Sequence, residues 1–103
     1  YFTMVDAITR GVENYTDPAI KPVLLSVAMD DMFPLRLRRQ ALQGLANYQE
    51  PAVADTLIGM LEKPDNFVYY TDIKRIVDGV ATPELTNKLE RTALAAQRMS
   101  ESQ

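Results

Sequence analysis

Apolar residues recur along this chain at the i, i+3, i+4, i+7 spacing of a single helical face, in six successive stretches. Ile20, Val23, Leu24, Val27 and Ala28 form one such face. Val53, Leu57, Met60 and Leu61 form another, and Leu85, Leu89, Ala93 and Ala96 a third. Between them lie Val5, Ile8, Val12 and Tyr15; then Leu35, Ala41, Leu42, Leu45 and Tyr48; then Tyr69, Ile73, Ile76, Val77 and Val80. The pattern predicts helices near 2–15, 18–29, 35–48, 51–62, 67–81 and 83–98, with residues 99–103 as a frayed tail. No alternating run is long enough to predict a strand, because the β-branched residues also fall at helical spacing.

The six stretches are related in pairs. Gly11-Val12-Glu13-Asn14-Tyr15-Thr16-Asp17-Pro18 is echoed 33 residues later by Gly44-Leu45-Ala46-Asn47-Tyr48-Gln49-Glu50-Pro51. A third copy, Gly79-Val80-Ala81-Thr82-Pro83, keeps the glycine, the aliphatic residue and the proline with three residues deleted between them. Repetition at such a period marks a solenoid, in which each helix pair buries its apolar stripe only by stacking on the next. Asp17, Glu50 and Thr82 stand as helix caps before prolines at the first helical position, where the missing N–H costs nothing. Pro22 would break a helix begun at Pro18, so the regular helix is expected to start near Lys21 after a ragged turn. Asp30-Asp31-Met32-Phe33-Pro34 and Lys63-Pro64-Asp65-Asn66 supply turn chemistry between the members of a pair.

The central segment resembles the bacterial HEAT-like repeats of the phycobilisome-lyase type. It carries Leu37-Arg38-Arg39-Gln40-Ala41 and Leu45, then Glu50-Pro51-Ala52-Val53, Leu57 and Leu61. The likeness is best over 31–62, fair over 1–30 and weaker over 63–103, where Ile73-Lys74-Arg75-Ile76-Val77 replaces the arginine and alanine. It implies a right-handed α-solenoid of about three antiparallel helix pairs, one domain over 1–98, with the second helix of each pair lining a concave surface. It also implies a structural role for Arg38, which matches the family arginine. Members of such families serve mainly as protein-binding scaffolds, while some attach bilins, support oxygenase sites or handle damaged DNA; a repeat motif specifies fold far better than function.

Composition narrows the chemistry. The 103 residues contain no cysteine and no histidine, which removes disulfides, thiolate nucleophiles, imidazole bases and the usual zinc sites. The formal net charge is −3, against a general affinity for nucleic acid. No run of about 18 apolar residues is present to span a membrane, so a soluble chain is expected, its compartment undetermined. A start at Tyr1 is expected of a processed product or an excised part of a longer array. Asp30-Asp31 do not point at one another and lack a third group for acid–base work. The serines have no base of triad type, and the four glycines never reach a phosphate-cradling spacing. No catalytic residue, cofactor or metal site is predicted. Asn14-Tyr15-Thr16 matches a glycosylation sequon of the kind that arises by chance, and the five methionines read as adaptable filler between helices.

The candidate binding residues are polar. Arg36, Arg39 and Gln43 share one helical face, and the repeat offset aligns them with Asp6 and Arg10 on one side and Thr71, Lys74 and Asp78 on the other. With Arg75 they predict a strip suited to an acidic protein or peptide segment. The bland alternative is that these arginines are solvated or paired with Asp30 and Asp31, which contributes little. Tyr15 and Tyr48 occupy equivalent positions and are expected to close helix corners. Phe67, Tyr69 and Tyr70 have no counterparts elsewhere; periodicity turns one or two inward and leaves the remainder as an interface anchor or end-of-stack packing. The expected function is thus a non-catalytic protein interaction scaffold. The rivals are an accessory domain of an enzyme or lyase-type protein, a nucleic-acid binder using the arginine cluster, and an oligomerisation block joined through its stack ends.

Overall fold

The computed structural model describes Ile8 and residues 16–102. These residues are all-helical, with no strand among them, and the chain divides into two compact units, 1–48 and 49–103. The predicted first helix, together with Val5, Val12, Tyr15, Asp6, Arg10 and Gly11, lies outside the described residues. Ile8 is helical and buried.

In the first unit, α1 (Lys21–Met29) and α2 (Leu35–Leu45) pack together. Helix α1 starts where Pro22 allows, at Lys21, after a turn in which Ile20 N–H donates to the Asp17 carbonyl. Asp17 does not cap the helix. Its carboxylate accepts the Ala19 N–H at 2.9 Å in an Asx turn. A second Asx turn, Met32 N–H to Asp30 Oδ1 at 2.9 Å, joins α1 to α2, and Pro34 precedes the first residue of α2. Helix α2 contains no β-branched residue and ends one residue past Gly44, in keeping with intrinsic propensity. Leu24, Val27, Ala28, Ala41, Leu42 and Leu45 are fully or almost fully buried. Leu35, expected on this stripe, is half exposed at the first turn of α2.

The second unit opens with α3 (Pro51–Ile58), which tightens into a 3₁₀ turn at Gly59–Glu62; a second 3₁₀ stretch spans Pro64–Tyr69. Helices α4 (Tyr70–Val80) and α5 (Pro83–Glu101) complete it. The predicted third-pair helix is therefore α-helical only from Tyr70. The preceding residues are held in 3₁₀ form, with Asn66 N–H donating to the Lys63 carbonyl at 2.9 Å and Asn66 Nδ2 to the Met60 carbonyl at 2.9 Å. The expected fray at Met99 is also displaced, since α5 continues to Glu101 and Ser102 Oγ closes on the Met99 carbonyl at 2.9 Å. Val53, Leu57, Leu61, Ile73, Ile76, Val77, Leu89 and Ala96 are buried, as the pattern predicts.

Pro51 and Pro83 each begin a helix, yet neither Glu50 nor Thr82 forms a side-chain cap. What repeats is backbone geometry. Helices α2 and α4 are both 11 residues long, with Gly44 and Gly79 as their penultimate residues. Beyond them come Gln49 and Ala81 at φ 50° and 56°, then Glu50 and Thr82 in extended conformation, then the proline. The three residues missing from the third copy are the turn Ala46–Tyr48, so the deletion shortens the connection and preserves its exit.

Candidate functional site

Helix α2 separates its residues cleanly. Arg38, Ala41, Leu42 and Leu45 are buried, whereas Arg36, Arg39 and Gln43 are exposed, one or two turns apart on the opposite side. No acidic residue occurs in this helix, so its outer face is cationic. Helix α4 is divided the same way, with Asp72, Ile73, Ile76 and Val77 buried and Thr71, Lys74, Arg75 and Asp78 exposed. Lys74 Nζ lies 2.8 Å from Asp78 Oδ2. That hydrogen bond and the Asp78 charge hold the Lys74 ammonium above the usual lysine range, with Tyr70 and Glu90 adding in the same direction. The structure thus brings Arg36, Arg39 and Gln43 together on α2, and Lys74 with Arg75 on α4.

Arg38 belongs to the interior. It is 5% exposed, and its Nε donates to the Ala28 carbonyl at 3.0 Å. Ala28 lies in the last turn of α1, where carbonyls have no partner within the helix, and the guanidinium meets the negative end of the helix dipole there. Tyr48 also acts structurally, donating its hydroxyl to the Asp17 carbonyl at 2.8 Å and tying the residues after α2 to those before α1. This is the corner role expected from the repeat.

The aromatic cluster resolves into two roles. Tyr69 is only 4% exposed, so it is a core residue and is removed from the candidate binding set. The reason is its register: Tyr69 stands four residues before the buried Ile73 on the apolar stripe, and Tyr70, the next residue, is turned about 100° from it. Phe67 and Tyr70 stack in offset planes, with centroids 5.4 Å apart and planes 8° from parallel. Phe67, Val68 and, on α5, Leu94 are about half exposed.

Comparison with protein-family models, curated proteins and solved structures yields no match.

Among the described residues, no group of three or more carboxylates is arranged to hold a metal, and no helix is long and apolar enough to cross a membrane. No buried side-chain nitrogen or oxygen there lacks a hydrogen bond. Met60 fills the core as expected, whereas Met29, Met32 and Met99 stand at the surface. The surface hollow formed by Phe67, Tyr70, Glu90, Leu94 and Gln97 escapes sequence reasoning. Leu94 departs from the buried stripe of α5 and has no counterpart to mark it, so only the exposed aromatic pair signals this place.

Proposed function

We propose that the chain is a non-catalytic interaction module built of HEAT-like helix pairs in a right-handed solenoid, and that it binds an acidic protein or peptide segment through the exposed faces of α2 and α4. The observation that carries this reading is the outer face of α2. Arg36, Arg39 and Gln43 are presented on a helix whose opposite side is anchored by Ala41, Leu42, Leu45 and the buried Arg38. Planar guanidiniums held on a rigid helix suit bidentate recognition of carboxylates. Lys74 and Arg75 present a second cationic pair on α4. The matching backbone of the two helix exits supports the repeat reading, because a shared exit is what tandem helix pairs require.

The test is affinity capture with the full chain beside a variant carrying Arg36→Glu, Arg39→Glu, Lys74→Glu and Arg75→Glu. All four are surface residues, so circular dichroism should report the same helical content. Loss of the captured protein in the variant supports the reading. Retention at equal yield overturns it.

A further inference from the structure

Leu35 stands on the arginine side of α2 and has no part in the recognition proposed above. It precedes Arg39 by four residues and Gln43 by eight, with Arg36 three before Arg39, so the four side chains share one exposed face. Leu35 is 47% exposed. The connection from α1 adds to it, because Met29, Met32 and Pro34 are exposed as well. Met32, at 86%, is the most exposed large apolar side chain among the described residues.

The turn itself holds Met32 outward. The Asp30 carbonyl accepts the Phe33 N–H at 3.2 Å and the Asp30 carboxylate accepts the Met32 N–H at 2.9 Å, so Met32 sits in a closed β-turn three residues before Leu35. Exposed apolar side chains gathered beside charged ones mark an interaction surface. Methionine suits that use, since its flexible thioether adapts to the shape laid on it.

The charges around these side chains have a direction. Asp30 and Asp31 precede Met32 in the chain, Asp30 being engaged in its own turn and Asp31 exposed. Arg36 and Arg39 follow Leu35 on a helix with no acidic residue. A segment lying along α2 thus meets cations on one side of the apolar pair and carboxylates on the other.

We propose that the acidic partner segment carries a bulky apolar residue at one end of its run of carboxylates, seated on Met32 and Leu35 while the carboxylates meet Arg36 and Arg39. This rests on the acidic-partner reading and narrows it. The arginines steer and orient the segment, the anchor supplies the desolvated contact that carboxylates lack, and Asp30 and Asp31 disfavour segments that are acidic on both sides of the anchor.

The test uses the full-length chain and two 12-residue peptides that share a run of glutamates in one half. The other half holds leucine and phenylalanine in one peptide and serines at the same places in its counterpart. Calorimetry gives the affinities, and methyl-detected NMR of the parent chain follows Met32 and Leu35. The apolar peptide is expected to bind at least fivefold more tightly and to shift those methyl signals further than the serine peptide does. Met32→Ser with Leu35→Ser should weaken the apolar peptide to within twofold of its counterpart and leave the circular dichroism melt unchanged. Arg36→Glu with Arg39→Glu should weaken both peptides; if it weakens neither, or if neither peptide binds the parent, the acidic-partner reading fails and this inference with it. Arginine-dependent binding with equal affinities, with unmoved Met32 and Leu35 methyls, or with a gap that survives Met32→Ser and Leu35→Ser overturns this inference alone. So would anionic phospholipid vesicles that bind more tightly than the apolar peptide, or a dimer in sedimentation that the double serine variant converts to monomer, since lipid or a second copy would then be the occupant.

Discussion

Arg38 reaches back ten residues to donate its Nε–H to the Ala28 carbonyl, so a buried cation closes the C-terminal turn of α1 from the middle of α2. Removing it leaves a helix-end carbonyl buried without its partner. Arg38→Met keeps most of the side-chain stem and deletes the donor, and it is expected to destabilise the chain by about 1.5–3 kcal/mol, the range for a hydrogen bond to a charged group. Arg38→Lys should recover less than half of that loss, because a lysine ammonium lacks the planar fork. Urea denaturation checks both, as a lower midpoint at unchanged slope. A midpoint equal to the parent's would remove the capping role.

Gln49 and Ala81 both hold positive φ, at 50° and 56°, where a Cβ is unfavourable and glycine is not. Relief of that strain exceeds the added freedom of the unfolded chain, so Ala81→Gly is expected to stabilise by about 0.5 kcal/mol. Gln49→Gly should act in the same direction. Ala81→Val should destabilise by about 1 kcal/mol or more. Thermal melts of the three variants test this, and a loss of stability in both glycine variants would contradict it.

The prolines and the apolar periodicity make most of this fold legible. Pro51 and Pro83 stand at the starts of α3 and α5, Pro22 explains the late start of α1, and Ile73, Ile76 and Val77 of α4 are buried as the spacing selects, whereas Val80 is only partly covered and the polar Asp72 is buried beside them. Two features are hidden. The 3₁₀ stretches at Gly59–Glu62 and Pro64–Tyr69 depend on side-chain bonds such as Asn66 to Met60, which periodicity does not register. The caps expected at Glu50 and Thr82 do not form, and the Asp17 carboxylate is taken by the Ala19 N–H of the turn before α1. Tyr69 stands on the apolar stripe with Ile73, Ile76 and Val77, so its burial follows the spacing and its place among the binding candidates does not. Of the binding candidates, Arg36, Arg39, Gln43, Lys74 and Arg75 are surface residues as the pattern requires, and Tyr69 is not.

Burial separates Tyr69 from those surface residues in energy as well. Tyr69→Ala empties a site in the core and is expected to cost about 3–5 kcal/mol, whereas Arg36→Ala should change stability by no more than about 0.5 kcal/mol. Chemical denaturation of the two single variants decides. Comparable small effects would mean that the ring is not a core element.

The Lys74–Asp78 pair gives a dependence on pH with a definite sign. Because the folded ammonium titrates above its unfolded value, the stabilisation it brings is fully present below the unfolded pKa of about 10.4 and disappears as pH rises through the higher folded value. Asp78→Asn should therefore lower the Lys74 amine pKa, followed by NMR of the side-chain methylene next to the nitrogen. Its effect on stability should be unchanged between about pH 6 and 9 and vanish under strongly alkaline conditions. An amine that titrates identically in parent and variant would refute the coupling.

The central claim is that the cationic outer face of α2 is the surface that grips a partner. Its most direct measurement is an amide-shift titration of the full chain with a glutamate-rich 12-residue peptide, repeated on the Arg36→Glu, Arg39→Glu variant. Shifts centred on Arg36, Arg39 and Gln43, with affinity at least tenfold lower in the variant, are the predicted result. Shifts that avoid α2, or an affinity that survives the charge reversal, would contradict it.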